Sequence, residues 1–212
     1  MFSVVIPAFN CARTVIPAIE SVLAQTRLDL IEEILVINDG STDDTNAVLE
    51  RYVKEQHPVP IRLFSRTNHG VSATRNFGIR KARAPWIALL DADDKWLPKK
   101  LERQYEAIRS EPKIKLLGTM YPLKILFGQK NGLIHISPQE LCIRSVYWTT
   151  SVVFEKDTGL AFGLFDETMQ FSEDLQFFQK FLTVDGCYVL GEDLVRIDCW
   201  KAYSGASGLS SH

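Results

Sequence analysis

No run of about 18 consecutive apolar residues occurs in the chain, so nothing in it reads as a membrane-spanning helix. The N-terminal stretch Met1–Asn10 lacks a basic segment followed by a long apolar one, and it reads as an immediate strand rather than a secretory signal. Cysteines are few. Cys11, Cys142, Cys187 and Cys199 fit neither zinc-knuckle spacing nor C-x-x-C, which leaves reduced thiols in a cytoplasmic protein. Twelve glycines and nine prolines in 212 residues exclude collagen-like and low-complexity designs, and a hydrophobic share of 46% excludes disorder. Charge of one sign is also lacking: 24 basic against 26 acidic side chains give a net charge of −2, which offers no bulk electrostatic basis for binding nucleic acid. Neither G-x-x-x-x-G-K-[ST] nor G-x-G-x-x-G is present, so the P-loop and the dinucleotide fingerprint are both excluded. No internal repeat or linker divides the chain, and the length suits one α/β domain over residues 1–212.

What is present is an alternation of strand and helix. Phe2–Ile6, Glu33–Ile37, Ile61–Phe64 and Trp86–Leu90 read as strands, and Thr14–Gln25, Thr45–Gln56 and Ser72–Ala82 between them read as helices. A βαβαβαβ order with apolar strands predicts a mainly parallel sheet covered on both faces. In such sheets ligands bind outside the carboxyl ends of the strands. The loops that follow the strands are Pro7–Asn10, Asn38–Asp44, Arg66–Gly70 and Asp91–Asp94, and the geometry predicts that they converge on one cleft. The second half is less regular. Leu97–Ser110 reads as a helix introduced by Pro98, Lys113–Gln139 as loops and small strands, and Trp148–Phe154 as a strand. Leu175–Leu182 reads as a helix, Cys187–Leu190 and Leu194–Asp198 as late strands, and Ser204–His212 as a mobile tail.

Asp91-Ala92-Asp93-Asp94 emerges from a buried strand. Three carboxylates in four residues repel one another unless a cation intervenes, and carboxylate oxygens select hard ions such as Mg²⁺ or Mn²⁺. A solvated acidic turn capping the next helix fits the same residues. Asp39 ends the second strand, where an acid commonly accepts a hydrogen bond from a nucleotide, although Asn38-Asp39-Gly40 is also strong turn chemistry. Phe9 beside Asn10 fits stacking on a base and hydrogen bonding to it, or a buried ring beside a helix cap. Asn68 to Asn76 is a glycine turn into a helix whose Arg75 fits a phosphate or simply solvent. Ser172-Glu173-Asp174 fits a helix start with Ser172 as cap, or a general base poised over a cleft.

Taken together and in this order, these segments resemble the family 2 glycosyltransferases of the GT-A fold. The matching pieces are Val4 to Asn10, Ile37 to Asp43, Asn68 to Gly78 (N-x-G-x-x-x-A/T-R-N-x-G), Leu90 to Asp94, Gly163 to Glu167 and Ser172 to Asp174. The resemblance runs over roughly residues 2 to 182. It implies a Rossmann-like, mainly parallel sheet with helices on both faces and a smaller mixed acceptor-side region. Residues 1–100 would form the nucleotide-sugar half and 101–212 the acceptor half. It implies that Pro7, Ala8, Phe9 and Asp39 hold the base and ribose of a UDP-sugar, with Asn10 and Ala92 on the same surface and Phe9 packed on the base. Asp91 would touch the ribose side, and Asp93 would be the main ligand of a Mn²⁺ or Mg²⁺ ion on the diphosphate. Asn68 and Arg75 would lie near that diphosphate. Asp174 would be the catalytic base, with Glu173 near the acceptor.

The implied reaction is direct, inverting transfer of a sugar to a hydroxyl of a saccharide or lipid-linked acceptor, in cell-surface polysaccharide synthesis. The implied setting is the cytoplasm, with peripheral association at the inner face of the membrane left open. Cys11 and Asn38 depart from residues common in relatives. No Q-x-x-R-W occurs, so the resemblance does not extend to processive synthases. Many relatives carry a further C-terminal segment, which leaves either a compact member or a trimmed chain. A nucleotidyltransferase is the competing enzyme class, but its glycine-rich basic loop is missing from Ala8–Arg13. A non-catalytic nucleotide- or glycan-binding relative is the other alternative.

Overall fold

Phe2-Ser3-Val4-Val5-Ile6 is rich in side chains that suit a pleated, buried surface. In the computed structural model, which describes residues 1–119, 132–137 and 147–197, it becomes the centre of the sheet. The first half runs β1 (Phe2–Ala8), α1 (Val15–Leu23), β2 (Ile31–Asp39), α2 (Thr45–Tyr52), β3 (Ile61–Arg66), α3 (Val71–Lys81) and β4 (Trp86–Leu89). It continues with β5 (Lys95–Trp96), α4 (Lys100–Ser110), β6 (Leu116–Thr119), β7 (Leu133–His135), β8 (Val153–Glu155) and α5 (Lys156–Ala161). The last elements are α6 (Glu173–Lys180), β9 (Cys187–Leu190) and β10 (Val195–Arg196).

The main sheet has the order β3-β2-β1-β4-β8-β6-β9-β7. β3, β2, β1 and β4 are mutually parallel, as the alternation predicts. β8 runs antiparallel to both of its neighbours, β4 and β6. β9 is parallel to β6, and β7 is antiparallel to β9. β5 and β10 form a separate antiparallel pair.

The period of two along β1 divides the core between the two faces. Val4 and Ile6 pack with Val15 and Ile19 of α1, Leu49 of α2 and Leu101 of α4. Val5 packs on the other side with Leu35, Ile37, Ile79 of α3 and Phe177 of α6. Gly78 sets how closely α3 lies on the sheet. A methyl group there would meet Val5 Cγ1 at 2.5 Å and Ile37 Cδ1 at 2.7 Å. This close seat fixes where the neighbouring Arg75 and Asn76 project. α6 is held by a cluster of rings: Phe177 lies 4.4 Å from Phe165 and 5.3 Å from Phe154, centroid to centroid.

Three local expectations change. Trp148–Phe154 is not one strand: Thr149–Ser151 forms a 3-10 turn and β8 starts only at Val153. The Thr150 and Ser151 groups in that turn are engaged by other elements rather than by a ladder. Ser172 does not cap α6 with its side chain, because its backbone sits in the left-handed region (φ 60°). The helix after Pro98 begins at Lys100. Asp198, the tail from Ser204 and most of Lys113–Gln139 beyond Thr119 lie outside the described residues, as do Cys142 and Cys199. Cys11 and Cys187 are free thiols. Among the described residues no helix is long and apolar enough to cross a membrane.

Candidate active site

The carboxyl ends of β1, β2, β3 and β4 open into one cleft of about 970 Å³. Pro7, Ala8, Phe9, Asn10, Asp39, Asn68, Arg75, Asp91, Ala92 and Asp93 all line it. The convergence of four loops, expected from the strand order alone, is therefore what the fold builds.

The loops are tied to one another through polar side chains. Asn10 takes a positive φ of 48°, and its Oδ1 accepts from the Thr42 amide at 2.8 Å. Its own amide donates to Ser41 Oγ at 3.0 Å, so the β1 and β2 loops are locked together. Asn38 Oδ1 accepts from the Ser41 amide and hydroxyl at 3.1 and 2.6 Å, which braces the turn after β2 from below. Asp39 is buried, and its carboxylate accepts the amides of His69 and Gly70 at 2.9–3.1 Å. Asn68 Nδ2 donates back to the Asp39 carbonyl at 3.0 Å. Within this frame Phe9 stays 50% exposed on the cleft wall, an apolar surface among polar loops.

Arg75 is the buried cation of the cleft, 5% exposed, whereas Arg13 on the same lining is exposed. Its guanidinium donates to Asp91 Oδ1 at 2.8 Å and to Glu173 Oε1 at 3.0 Å. The next residue, Asn76, donates to the Phe165 carbonyl and to Glu167 Oε1, and it accepts from the Phe165 amide. One turn of α3 thus holds the β4 loop, the Gly163–Glu167 segment and the start of α6.

Glu173 and Asp174 do not line the cleft itself; Glu173 is joined to it through Arg75, and Asp174 lies beside that pair. The Asp174 carboxyl is raised above the usual aspartate range. Burial is the main cause, and the nearby charges of Glu173 and Asp91 add to it, while the Leu175 amide and Arg75 act in the opposite direction. Thr149 Oγ1 lies 3.5 Å from Asp174 Oδ2, and the Asp91 amide donates to Thr150 Oγ1 at 3.3 Å. Consecutive threonines therefore contact the base candidate and the acidic loop.

Asp93 is exposed on the cleft wall, and its charge, with that of Asp43, is felt at Cys11. Burial, foremost, keeps the Cys11 thiol above its ordinary pKa, so it stays protonated. Among the described residues no group of three or more His, Cys, Asp or Glu side chains forms a ready-made metal cage. An all-oxygen position with one or two carboxylates, completed by diphosphate oxygens, is nevertheless what Mg²⁺-like ions use. Asp93, with Asp91 two residues before it, fits that mode.

Arg13, Trp148 and Ile197 also line the cleft and were not legible as site residues. Trp148 had a usable signal. An antiparallel strand presents its beginning, not its end, on the ligand side of a parallel sheet. Because β8 runs against β4, the residues that precede it come to the cleft.

The family model of glycosyl transferase family 2 matches residues 3–169. The chain belongs to glycosyl transferase family 2. The match ends before Glu173 and Asp174. An uncharacterized glycosyltransferase of Nostoc sp. is 37% identical over 137 residues, which is 65% of this chain and 41% of that protein. The structure of S. aureus TarS residues 1–349 superposes with a TM-score of 0.77 at 18% identity, covering 96% of this chain and 62% of that one. TarS has also been solved with UDP and with UDP-GlcNAc. Mannosyltransferase PcManGT of Pyrobaculum calidifontis, solved with GDP-Man and Mn²⁺, gives a TM-score of 0.73 at 17% identity, covering 89% of this chain and 53% of that one. The architecture is thus the GT-A fold of family 2 glycosyltransferases. The chain spans 41% of the Nostoc relative's length, less than half of that protein.

Proposed function

We propose that this chain catalyses metal-dependent, inverting transfer of a sugar from a UDP-sugar to a hydroxyl of a saccharide or lipid-linked acceptor. The observation that carries this reading is the meeting of Phe9, Asp39, Asp91 and Asp93 in one cleft whose acidic loop is linked through Arg75 to the Asp174 helix. Phe9 supplies a stacking face for the base. Asp39, held by its loop amides and by Arg66 at 3.5 Å, would offer its remaining acceptor capacity to the nucleoside. Asp93, with Asp91 beside it, would hold a divalent ion on the diphosphate. When bound, such an ion supplies neutralisation of the charge that develops on the nucleoside diphosphate leaving group. The acceptor hydroxyl attacks the anomeric carbon from the face opposite that leaving group, which inverts the configuration. Asp174 takes the hydroxyl proton as the new bond forms.

A panel of UDP-sugars incubated with Mn²⁺ tests the reading. UDP is the expected product, and EDTA is expected to abolish both its release and most UDP binding by calorimetry. Pyrophosphate as product would make the protein a nucleotidyltransferase instead, and UDP affinity unchanged by EDTA would remove the metal from the scheme.

A further inference from the structure

The cleft contains a cation that the reaction scheme leaves without a role. Arg75 was the natural partner for a diphosphate, yet its guanidinium is spent on protein carboxylates. It bridges Asp91, 16 residues away at the end of β4, and Glu173, 98 residues away in the first turn of α6. A buried guanidinium is tolerated only when paired and hydrogen-bonded. Here the pairing joins the two halves of the site. The Phe165 ring lies 5.5 Å from the guanidinium carbon, and Asn76 holds the Phe165 backbone, so the arginine is wedged as well as paired. Asp174 sits beside this bridge and within reach of the Asp91 and Glu173 charges.

Without Arg75 three carboxylates, those of Asp91, Glu173 and Asp174, would face one another with no cation between them. Like charges at such spacing repel, and Arg75 pairs with both the start of α6 and the acidic loop. The geometry points to Arg75 as a positioning residue, which fixes the Asp174 helix against the Asp91–Asp94 loop rather than binding the donor diphosphate. This rests on the glycosyltransferase reading for the role of Asp174, but the bridge itself does not. Both terminal nitrogens of Arg75 are engaged by protein carboxylates, and its Nε is buried without a partner among the described residues, so a diphosphate would have to share the guanidinium with Asp91 and Glu173.

The test uses Arg75→Gln, Arg75→Lys and Glu173→Gln, the last cutting only the α6 side of the bridge. Calorimetry with UDP and Mn²⁺ reads donor binding, and UDP release from UDP-GlcNAc to water reads turnover without an acceptor. UDP affinity is expected to stay within about threefold of wild type in all three, while kcat falls roughly 10²-fold in Arg75→Gln and less in Arg75→Lys, as for a misplaced catalytic group. A loss of UDP affinity of tenfold or more in Arg75→Gln, with Glu173→Gln binding normally, would assign the arginine to the diphosphate and overturn the proposal. So would unchanged turnover in Arg75→Gln. Crystal structures of Arg75→Gln and Glu173→Gln give an arm that needs no turnover. A first turn of α6 displaced from Thr149 and Asp91 supports the proposal; a turn in its wild-type place in both variants overturns it. If wild type releases no UDP from UDP-GlcNAc, the choice of donor fails while the crystallographic arm still decides the role of Arg75.

Discussion

Replacing Phe9 with alanine should weaken nucleotide binding and leave the fold alone. The ring is 50% exposed within the cleft, so a base laid on it covers surface that nothing in the protein covers. A base stacked on an aromatic ring is worth about 1–3 kcal/mol by alanine substitution, which converts to roughly 5- to 150-fold in Kd. Stability should move by less than about 0.5 kcal/mol, the range for exposed positions away from the core. Calorimetry with UDP and Mn²⁺ on wild type, Phe9→Ala and Phe9→Trp gives the Kd series, and tryptophan should retain or tighten binding. Because the contact is made by the base, UMP should lose the same factor as UDP. An alanine variant whose Kd for both nucleotides matches wild type within twofold would refute the stacking assignment. An equal loss of thermal stability would show that the ring is a packing element instead.

Asp174→Asn should cut turnover by roughly 10²–10⁴ while sparing UDP binding, and near-normal turnover would remove it as the base. Burial raises the Asp174 carboxyl, and a base acts only when ionised, so turnover should rise with pH through a limb above the ordinary aspartate range; a limb at or below that range would contradict the burial argument. Lys100 is wholly buried, with its Nζ 2.9 Å from Gln104 Oε1 and 4.1 Å from the centre of the Trp96 ring, and burial lowers its pKa well below 10.5. Its depressed folded-state value means that stability is complete above pH 10.5 and is lost as pH falls towards that value, at about 1.4 kcal/mol per pH unit. Lys100→Met should therefore be the more stable protein at neutral pH, with a lead that shrinks as pH rises; urea melts at pH 7, 8 and 9 with a constant difference would refute this.

The first hundred residues were legible because their signals are local and periodic. Val4 and Ile6 alternate with Val5, and the sheet sorts them onto opposite faces as the period of two demands. The strand order then placed four loops at one edge by geometry alone. The second half resisted for a physical reason: β8, β6 and β9 are short, and their neighbours in the sheet are distant in sequence. The composition of Trp148–Phe154 suits one strand, but its first half is a turn held by tertiary contacts, with Trp96 Nε1 donating to the Thr150 carbonyl at 2.8 Å. No local propensity records such a contact. The Arg75 bridge was hidden in the same way, since a partner 98 residues away leaves no mark on the helix that carries the arginine.

At several positions two readings looked like rivals in the sequence and prove compatible in the fold. Asp39 was either a turn former or a nucleotide contact; it accepts the amides of His69 and Gly70 and still lines the cleft. Asn10 was either a cap or a base contact; it pins Ser41 and Thr42 and stands in the cleft wall. The bonds span about thirty residues of sequence, so each fastens one ligand-bearing loop to another rather than closing a local turn. Catalysis and tight binding both need groups held in place before the ligand arrives, because ordering them afterwards costs free energy. Turn-forming residues at strand ends supply that order through side chains that bond to backbone. Asn38 extends the argument: buried and out of the cleft, it still decides where Ser41, and through Ser41 the Asn10 amide, can sit.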